Sequence, residues 1–287
     1  MIRFLAWSRT HLLFVLLLGA VARHSPAQVI DTATGKEISP PALAERLRNA
    51  DIVLLGELHD NQRHHDLRGQ LIARFADKQR TIVAEHLPQG GPVTFASDTR
   101  ADLVAAGFDP AGWEWPAHEK LYDHIRASGA PLVGGNLPRE QAKQIFMQGV
   151  SALPDRMAQT YEKSRLDAPA EKNLDRDLLD GHCGKLPDRY LLRMRFAQRM
   201  TDIALSHALL DHKPAVLVAG NGHVRKDYGV PQVIAAVAPQ LRQISVGFME
   251  HSSDSRELIP SLAEQYDFVW LTERNERKDP CENFSLK

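Results

Sequence analysis

The sequence predicts an α/β fold in which helices flank a mostly parallel central sheet, with a helical insertion in the second half of the chain. Short apolar runs without polar alternation recur along the chain, which is typical of strands that are covered on both faces. Helical patterns separate several of these runs, the first of them over 64–75, as in βαβ units. The predicted strands are residues 51–55, 81–84, 131–134, 215–219, 244–248 and 268–271.

The helical insertion is predicted over residues 138–212. Apolar residues recur there at spacings of three and four over 138–165 and 172–212, which is the helical period. Pro154, Pro169 and Pro187 mark the breaks between helices. We expect this insertion to cover one end of the sheet.

The first 27 residues have the pattern of a secretory signal peptide. Arg3 and Arg9 precede an apolar stretch over 12–22, and Ser25 and Ala27 supply the small residues of a cleavage site. The apolar stretch is shorter than the roughly 20 residues that a membrane span needs. We predict cleavage after Ala27, so that residues 28–287 form one mature domain in the periplasm or cell envelope. Because no cysteine lies near the cleavage site, a lipid anchor is not expected.

The charge and cysteine content narrow the classes of function. The mature chain holds 32 basic and 36 acidic residues, and we see no concentrated basic face, so nucleic acid is not an expected partner. Its two cysteines are Cys183 and Cys281. In an oxidising compartment they can pair, and we predict a disulfide between them.

Histidines and carboxylates follow several of the predicted strands. In open α/β sheets, ligands bind outside the carboxyl ends of parallel strands, and Glu57, His59, Glu85 and His223 all lie there. These four side chains could hold a divalent metal through nitrogen and oxygen atoms. They could equally prepare a water molecule for general-base attack. Each has a simpler alternative, such as helix capping for Glu57 or ordinary burial for His59.

Two further residues are weaker candidates. His64 lies in the first turn after Asp60 and Asn61, on the same predicted rim. Tyr228 lies five residues after His223, and tyrosine and histidine can both ligate haem iron. A tyrosine packed in a turn, with its hydroxyl on a backbone carbonyl, is the alternative for Tyr228.

Three motifs together resemble the ChaN-like haem-binding family, which belongs to a superfamily with Tiki proteases, TraB proteins and erythromycin esterases. They are LLGELHDN at 54–61, GNGH at 220–223 and YGVP at 228–231. The resemblance extends over most of the mature chain. It implies a protein that binds haem in bacterial iron uptake, as a homodimer across two stacked haems. An outer-membrane haem receptor or envelope transport proteins are the further partners that this role suggests.

The resemblance also implies roles for individual residues. Tyr228 and His223 are the implied haem-binding residues, with His59 and His64 as further candidates. In hydrolytic members of the superfamily, the positions of Glu57, His59, Glu85 and His223 form the metal or catalytic centre. This chain departs from the family pattern after Glu85, where a methionine–aromatic pair is usual and His86-Leu87 stands instead. His86 is therefore an additional possible ligand.

Two functions therefore remain open from the sequence. The preferred one is an exported haem-binding protein in which no catalysis is required and haem is the cofactor. The alternative is a metal-dependent hydrolase, a protease or esterase, that uses a divalent metal held by the four strand-end residues. Haem needs a wide apolar slot, whereas hydrolysis needs a small polar cage with an open coordination position. Aromatic residues at 95, 108, 113, 115 and 122 could line such a slot or belong to the core.

Overall fold

A single mixed sheet runs through the part of the chain that the computed structural model describes, residues 27–251 and 259–282. Its eight strands are β1 (Gln28–Asp31), β2 (Lys36–Ile38), β3 (Ile52–Leu55), β4 (Thr81–Pro88), β5 (Leu132–Asn136), β6 (Ala215–Val218), β7 (Gln243–Glu250) and β8 (Phe268–Thr272). Their order is β2-β1-β8-β7-β3-β6-β4-β5. Strands β3 to β8 run parallel to one another, and the hairpin of β1 and β2 adds two antiparallel strands at the β8 edge. The predicted mostly parallel α/β class is confirmed.

Ten α-helices lie in the described ranges. They are α1 (Pro40–Arg48), α2 (Gln62–Phe75), α3 (Thr99–Ala105), α4 (Glu119–Ser128), α5 (Arg139–Gln148), α6 (Asp155–Lys163), α7 (Ala168–Gly181), α8 (Asp188–Asp211), α9 (Val230–Val237) and α10 (Ile259–Leu262). Short 3₁₀ segments cover Gly149–Ala152 and Asn221–Val224. Within these ranges no helix combines the length and apolar character that a membrane crossing needs.

The central strands are buried on both faces, as their continuous apolar sequences predict. In β3, Val53 and Leu55 pack with Leu71 of α2 on one side of the sheet. Leu54, which points the other way, packs with Leu209 of α8. All four residues of β3 and all four of β6 are buried. Two hydrophobic layers, one on each face, therefore hold the sheet in place.

The predicted helical insertion consists of α5 to α8. Pro154 and Pro187 stand at the N-caps of α6 and α8, and Pro169 lies in the first turn of α7. Proline is favoured at helix starts because the first N–H groups have no intrahelical partner. The C-terminal half of α8 packs against a face of the sheet through Leu205 and Leu209. α8 of the insertion thus covers part of one face of the sheet. That the insertion as a whole covers one end of the sheet stays a prediction.

A disulfide links the insertion to the last part of the described chain. Cys183, just after α7, is bonded to Cys281, which lies 98 residues later. The predicted bridge is therefore present. Residues 1–26 of the predicted signal peptide lie outside the described residues. Cleavage of the signal peptide and the single mature domain therefore stay predictions.

Candidate functional site

Three neighbouring strands bring the predicted strand-end residues to one edge of the sheet. β6 lies between β3 and β4, with Val218 in register with Leu55 on one side and Ala84 on the other. Glu57 follows β3, Glu85 lies in β4, and the segment after β6 leads to His223. Parallel strands end at the same edge, so these side chains lie close together, as the strand-end rule predicts.

Glu57 is the centre of a buried cluster of histidines. The residue as a whole is 1% exposed. Oε1 lies 2.7 Å from His59 Nδ1, 3.0 Å from His86 Nε2 and 3.6 Å from His118 Nε2. Three imidazole rings from separate parts of the chain therefore face a single carboxylate oxygen.

The other Glu57 oxygen, Oε2, faces helix α2. The Arg68 guanidinium forms an ion pair with Oε2 and donates to His65 Nδ1 at 2.9 Å. His65 Nε2 in turn donates to the His59 carbonyl oxygen at 2.9 Å. Asn61 caps α2 by accepting from the backbone N–H groups of residues 63 and 64, which fixes where the helix begins. The cap sets the register that turns residues 65 and 68, one turn apart, towards Glu57.

Burial decides the charges in this cluster. Desolvation lowers the pKa of His65 to about 4 and that of Arg68 to about 9. It lowers the pKa of His86 and His118 far below the usual histidine range as well. At neutral pH His65, His86 and His118 are therefore uncharged. Arg68 is the cation that compensates the Glu57 carboxylate.

Glu85 belongs to a second, adjacent cluster. Its Oε2 accepts from the Gly220 backbone N–H at 2.7 Å, and its Oε1 lies 3.4 Å from His223 Nε2. His223 Nδ1 lies 2.7 Å from Asp202 Oδ1 on α8. Burial disfavours the His223 imidazolium, but the two carboxylates outweigh it and raise the pKa of His223 to about 10. His223 is thus a buried cation between two carboxylates.

His59 stands between the two clusters and is the accessible member of the site. Its side chain is 49% exposed, and the Trp113 ring lies 5.2 Å from the imidazole centroid. A Cβ at position 220 would lie 2.8 Å from His59 Nε2, so the close approach of the imidazole depends on Gly220. Nδ1 is held by Glu57, and no described residue forms a hydrogen bond with Nε2. An imidazole held in this way presents the Nε2 lone pair to an incoming metal.

The other predicted haem-binding residues are more enclosed. His64 is buried, with Nε2 on the Thr272 hydroxyl at 2.9 Å and Nδ1 accepting from the Leu58 backbone N–H at 3.1 Å. Tyr228 is 1% exposed, and its hydroxyl donates to Asp177 at 2.6 Å. Burial raises the pKa of Tyr228 above its usual value, so the phenol is protonated. Ligation by either residue stays a prediction.

The four predicted metal ligands divide between the two clusters. Glu57 pairs with His59, and Glu85 pairs with His223. Within the described ranges, the group whose ligand atoms all lie within 4.8 Å of one another is a different one, made of Glu57, His86 and His118. Joint ligation of one metal by the four predicted residues also stays a prediction.

Several residues of the site were not singled out from the sequence. Arg68 carries a recognisable signal, because this charged residue stands on the same face of α2 as the apolar residues Leu71 and Ile72. Asp202 likewise lies among the buried residues of α8. His118 has no comparable signal, since it lies just before α4 in a segment without strand or helix periodicity. Its position follows only from the tertiary fold.

Comparison with protein families identifies the chain. The family model described as haem-binding uptake, Tiki superfamily, ChaN matches residues 43–234, about two thirds of the sequence. The chain belongs to this ChaN family. The match begins in α1 and ends in α9, so it spans both strand-end clusters.

A solved structure agrees with the ChaN fold. It is described as cofacial haem binding to ChaN of Campylobacter jejuni, and it is 19% identical to this chain. The similarity covers 86% of this chain and 97% of that one, with a TM-score of 0.65. At this identity the likeness shows that the two proteins share a fold.

Two other solved structures are less similar. A protein from Bacillus cereus is 15% identical over 79% of this chain and 72% of its own, with a TM-score of 0.42. The type III effector HopBA1 is 12% identical over 83% of this chain and 94% of its own, with a TM-score of 0.45. Neither likeness is strong enough to bear on this fold. No curated protein sequence matches the chain.

Proposed function

We propose that this ChaN-family chain is an exported haem-binding protein of bacterial haem and iron uptake, and that His59 is the residue that binds the haem iron. The observation that carries the proposal is the half-exposed His59 imidazole, whose Nδ1 lies 2.7 Å from the Glu57 carboxylate. A carboxylate on one ring nitrogen fixes the tautomer and the orientation of the ring, so that the other nitrogen can ligate iron. Membership in the haem-binding family supports haem as the ligand.

The side chains near His59 are suited to contact the edge of a haem rather than to ligate its iron. Trp113 lies against His59 and is partly buried, so it supplies an apolar surface beside the donor. Phe108 and Tyr122, by contrast, are buried members of the core. His223 is enclosed between Glu85 and Asp202, and it lies at the edge of the site. Haem, when bound, supplies the iron; the chain binds it, orients it and limits access of water.

The hydrolase alternative is not favoured. It requires Glu57, His59, Glu85 and His223 to surround one metal with an open position for substrate. Glu85 instead is engaged by the Gly220 N–H, and His223 by Asp202. These contacts support two separate hydrogen-bonded clusters, which suits a binding protein better than a four-ligand metal cage.

The cellular part of the proposal rests on the sequence. We propose that the predicted signal peptide directs one mature domain, residues 28–287, to the periplasm or cell envelope. There it would act as a homodimer around stacked haems and exchange haem with an outer-membrane receptor or envelope transport proteins. The description of cofacial haem binding to the Campylobacter jejuni ChaN supports the stacked haems of this proposal.

The test is a hemin titration of the purified chain, followed by the visible spectrum. Wild type should give a saturable Soret shift. We expect His59→Ala to weaken hemin binding by more than the roughly 10- to 100-fold that is typical of losing an outer-sphere partner. Added free imidazole should restore the spectrum of this variant, because it can occupy the vacated position.

Two comparison variants make the test specific. His212→Ala removes an exposed imidazole at the end of α8 and should bind hemin as wild type does. Tyr228→Phe tests the donor that the family resemblance implies. Loss of binding in Tyr228→Phe with normal binding in His59→Ala would move the assignment to Tyr228. Wild-type protein that gives no Soret shift would defeat the haem function itself.

A further inference from the structure

Among the residues that the structure describes, the buried His118 side chain has no hydrogen-bond partner. It is 1% exposed, and neither of its ring nitrogens has a partner among the described residues. Leaving a buried polar group unsatisfied costs free energy, and such exceptions in folded proteins need a physical reason. A metal ion that binds the imidazole is one such reason.

Helix capping does not explain His118. The residue stands at the N-cap of α4, where Ser, Thr, Asn and Asp are favoured because their side chains accept from the first N–H groups. The His118 side chain makes no such bond. Its Nε2 lies 3.6 Å from Glu57 Oε1 instead, too far for a hydrogen bond.

We propose that Glu57, His86 and His118 bind a divalent transition-metal ion of the Zn²⁺ class. His86 Nε2 and His118 Nε2 lie 3.0 and 3.6 Å from Glu57 Oε1, and all three ligand atoms lie within 4.8 Å of one another. Ligands of a tetrahedral zinc ion are about 3.3 Å apart, given zinc–nitrogen distances near 2 Å. Small side-chain rotations therefore bring the three atoms to a common metal.

The donor chemistry and the surroundings agree with this class of ion. Two imidazoles and one carboxylate suit zinc and related first-row metals, whereas Mg²⁺ and Ca²⁺ prefer oxygen ligands. The Tyr122 hydroxyl lies 3.0 Å from His86 Nδ1, the usual place for an outer partner of a metal-binding histidine. Arg68 holds Glu57 Oε2, which leaves Oε1 directed at the histidines. A carboxylate oxygen has two lone pairs, so Oε1 can hold the ion and keep His59.

This site shares only Glu57 with the predicted strand-end quartet. His86 and His118 are not among those four residues. The Glu57, His86 and His118 side chains are each at most 1% exposed. A substrate cannot reach a metal enclosed in this way, so we assign it a structural role rather than a hydrolytic one.

The test uses the full purified chain without haem, stripped of metal by a chelator. Zn²⁺ is then titrated in competition with a chromogenic chelator, and bound zinc is counted by elemental analysis. Wild type and the control His212→Ala should each retain one equivalent. His118→Leu, of similar volume, and His86→Gln should each lose more than the roughly 10- to 100-fold in Zn²⁺ affinity that an outer partner contributes.

Thermal unfolding separates metal binding from misfolding. Metal-free His118→Leu should melt at or above the temperature of metal-free wild type, because the imidazole forms no hydrogen bond in that state. Zn²⁺ should raise the melting temperature of wild type and His212→Ala, and should leave both ligand variants unchanged. Wild-type protein that retains no Zn²⁺, or ligand variants that bind it as wild type does, would overturn the proposal.

A spectroscopic measurement decides the matter if neither ligand variant folds. Co²⁺ substituted into wild type should give the intense visible bands of a four-coordinate ion. Weak bands of a six-coordinate, water-rich ion would refute the site.

Discussion

Removing the His223 imidazole should destabilise the protein strongly at neutral pH. The side chain lies between two buried carboxylates, with Nδ1 2.7 Å from Asp202 and Nε2 3.4 Å from Glu85. In His223→Ala both carboxylates lose their shared cation. Breaking a buried ion pair by removing one partner costs about 3 to 5 kcal/mol.

The pKa of His223 gives an independent estimate of the same loss. The folded-state pKa is about 10, against a usual value of 6.5. Each pKa unit corresponds to about 1.4 kcal/mol, so the ionised pair contributes up to about 5 kcal/mol to the free energy of unfolding. For a chain of this size we expect the melting temperature to fall by about 10 °C.

The sign of the pH dependence follows from the raised pKa. The stabilisation is fully present below pH 6.5, where the unfolded histidine is also protonated, and it is lost as the pH rises through about 10. The stability gap between wild type and His223→Ala should therefore narrow from pH 7 to pH 10, by at most about 1.4 kcal/mol per pH unit.

The assay is urea unfolding of wild type and His223→Ala at several pH values, with His212→Ala as the control for loss of an exposed imidazole. The control should stay within about 0.5 kcal/mol of wild type. A His223→Ala loss below about 1 kcal/mol at pH 7 would contradict a buried ion pair of the expected strength. So would a gap that stays constant up to pH 10.

Two further predictions concern the disulfide and the signal peptide. The Cys183–Cys281 bridge closes a loop with a sequence separation of 98. Replacing both cysteines with serine should therefore lower the unfolding free energy by about 4 to 5 kcal/mol in the chain-entropy model. Equal stability of the serine variant and the oxidised wild type would contradict this. Intact-mass analysis of periplasmic material should find Gln28 as the first residue, because Ser25 and Ala27 have the spacing of a cleavage site. A species that retains Met1 would refute the cleavage.

Much of the sheet could be predicted because its strands carry a strong signal. The six parallel strands are short runs of apolar residues, and burial on both faces leaves no other pattern for them. Polar edge strands carry a weaker signal. β2, Lys36–Ile38, is three residues long and partly exposed, and it pairs with β1 through a turn at Gly35, whose φ is +66°. Such a hairpin was not foreseen because the edge has too few buried residues to show an alternating pattern.

The sequence predicts where the candidate site lies better than it predicts which of its residues contact one another. The strand-end rule placed Glu57, Glu85 and His223 at one edge because parallel strands share a direction. It could not show that Asp202, from the middle of α8, would form a hydrogen bond with one ring nitrogen of His223. That contact depends on how the insertion packs on the sheet face, which is a property of the tertiary fold.

Glu57 links the two proposals, and this decides which variants can separate them. It holds the haem candidate His59 by one hydrogen bond and supplies an oxygen to the proposed metal group with His118. Because Arg68 is its buried counter-ion, Glu57→Gln would also leave a guanidinium unpaired in the interior. A loss of haem, of metal or of stability in Glu57→Gln would therefore have several causes at once. His59→Ala and His118→Leu each remove one donor and leave the Glu57–Arg68 pair intact, so their effects can be assigned to one ligand each.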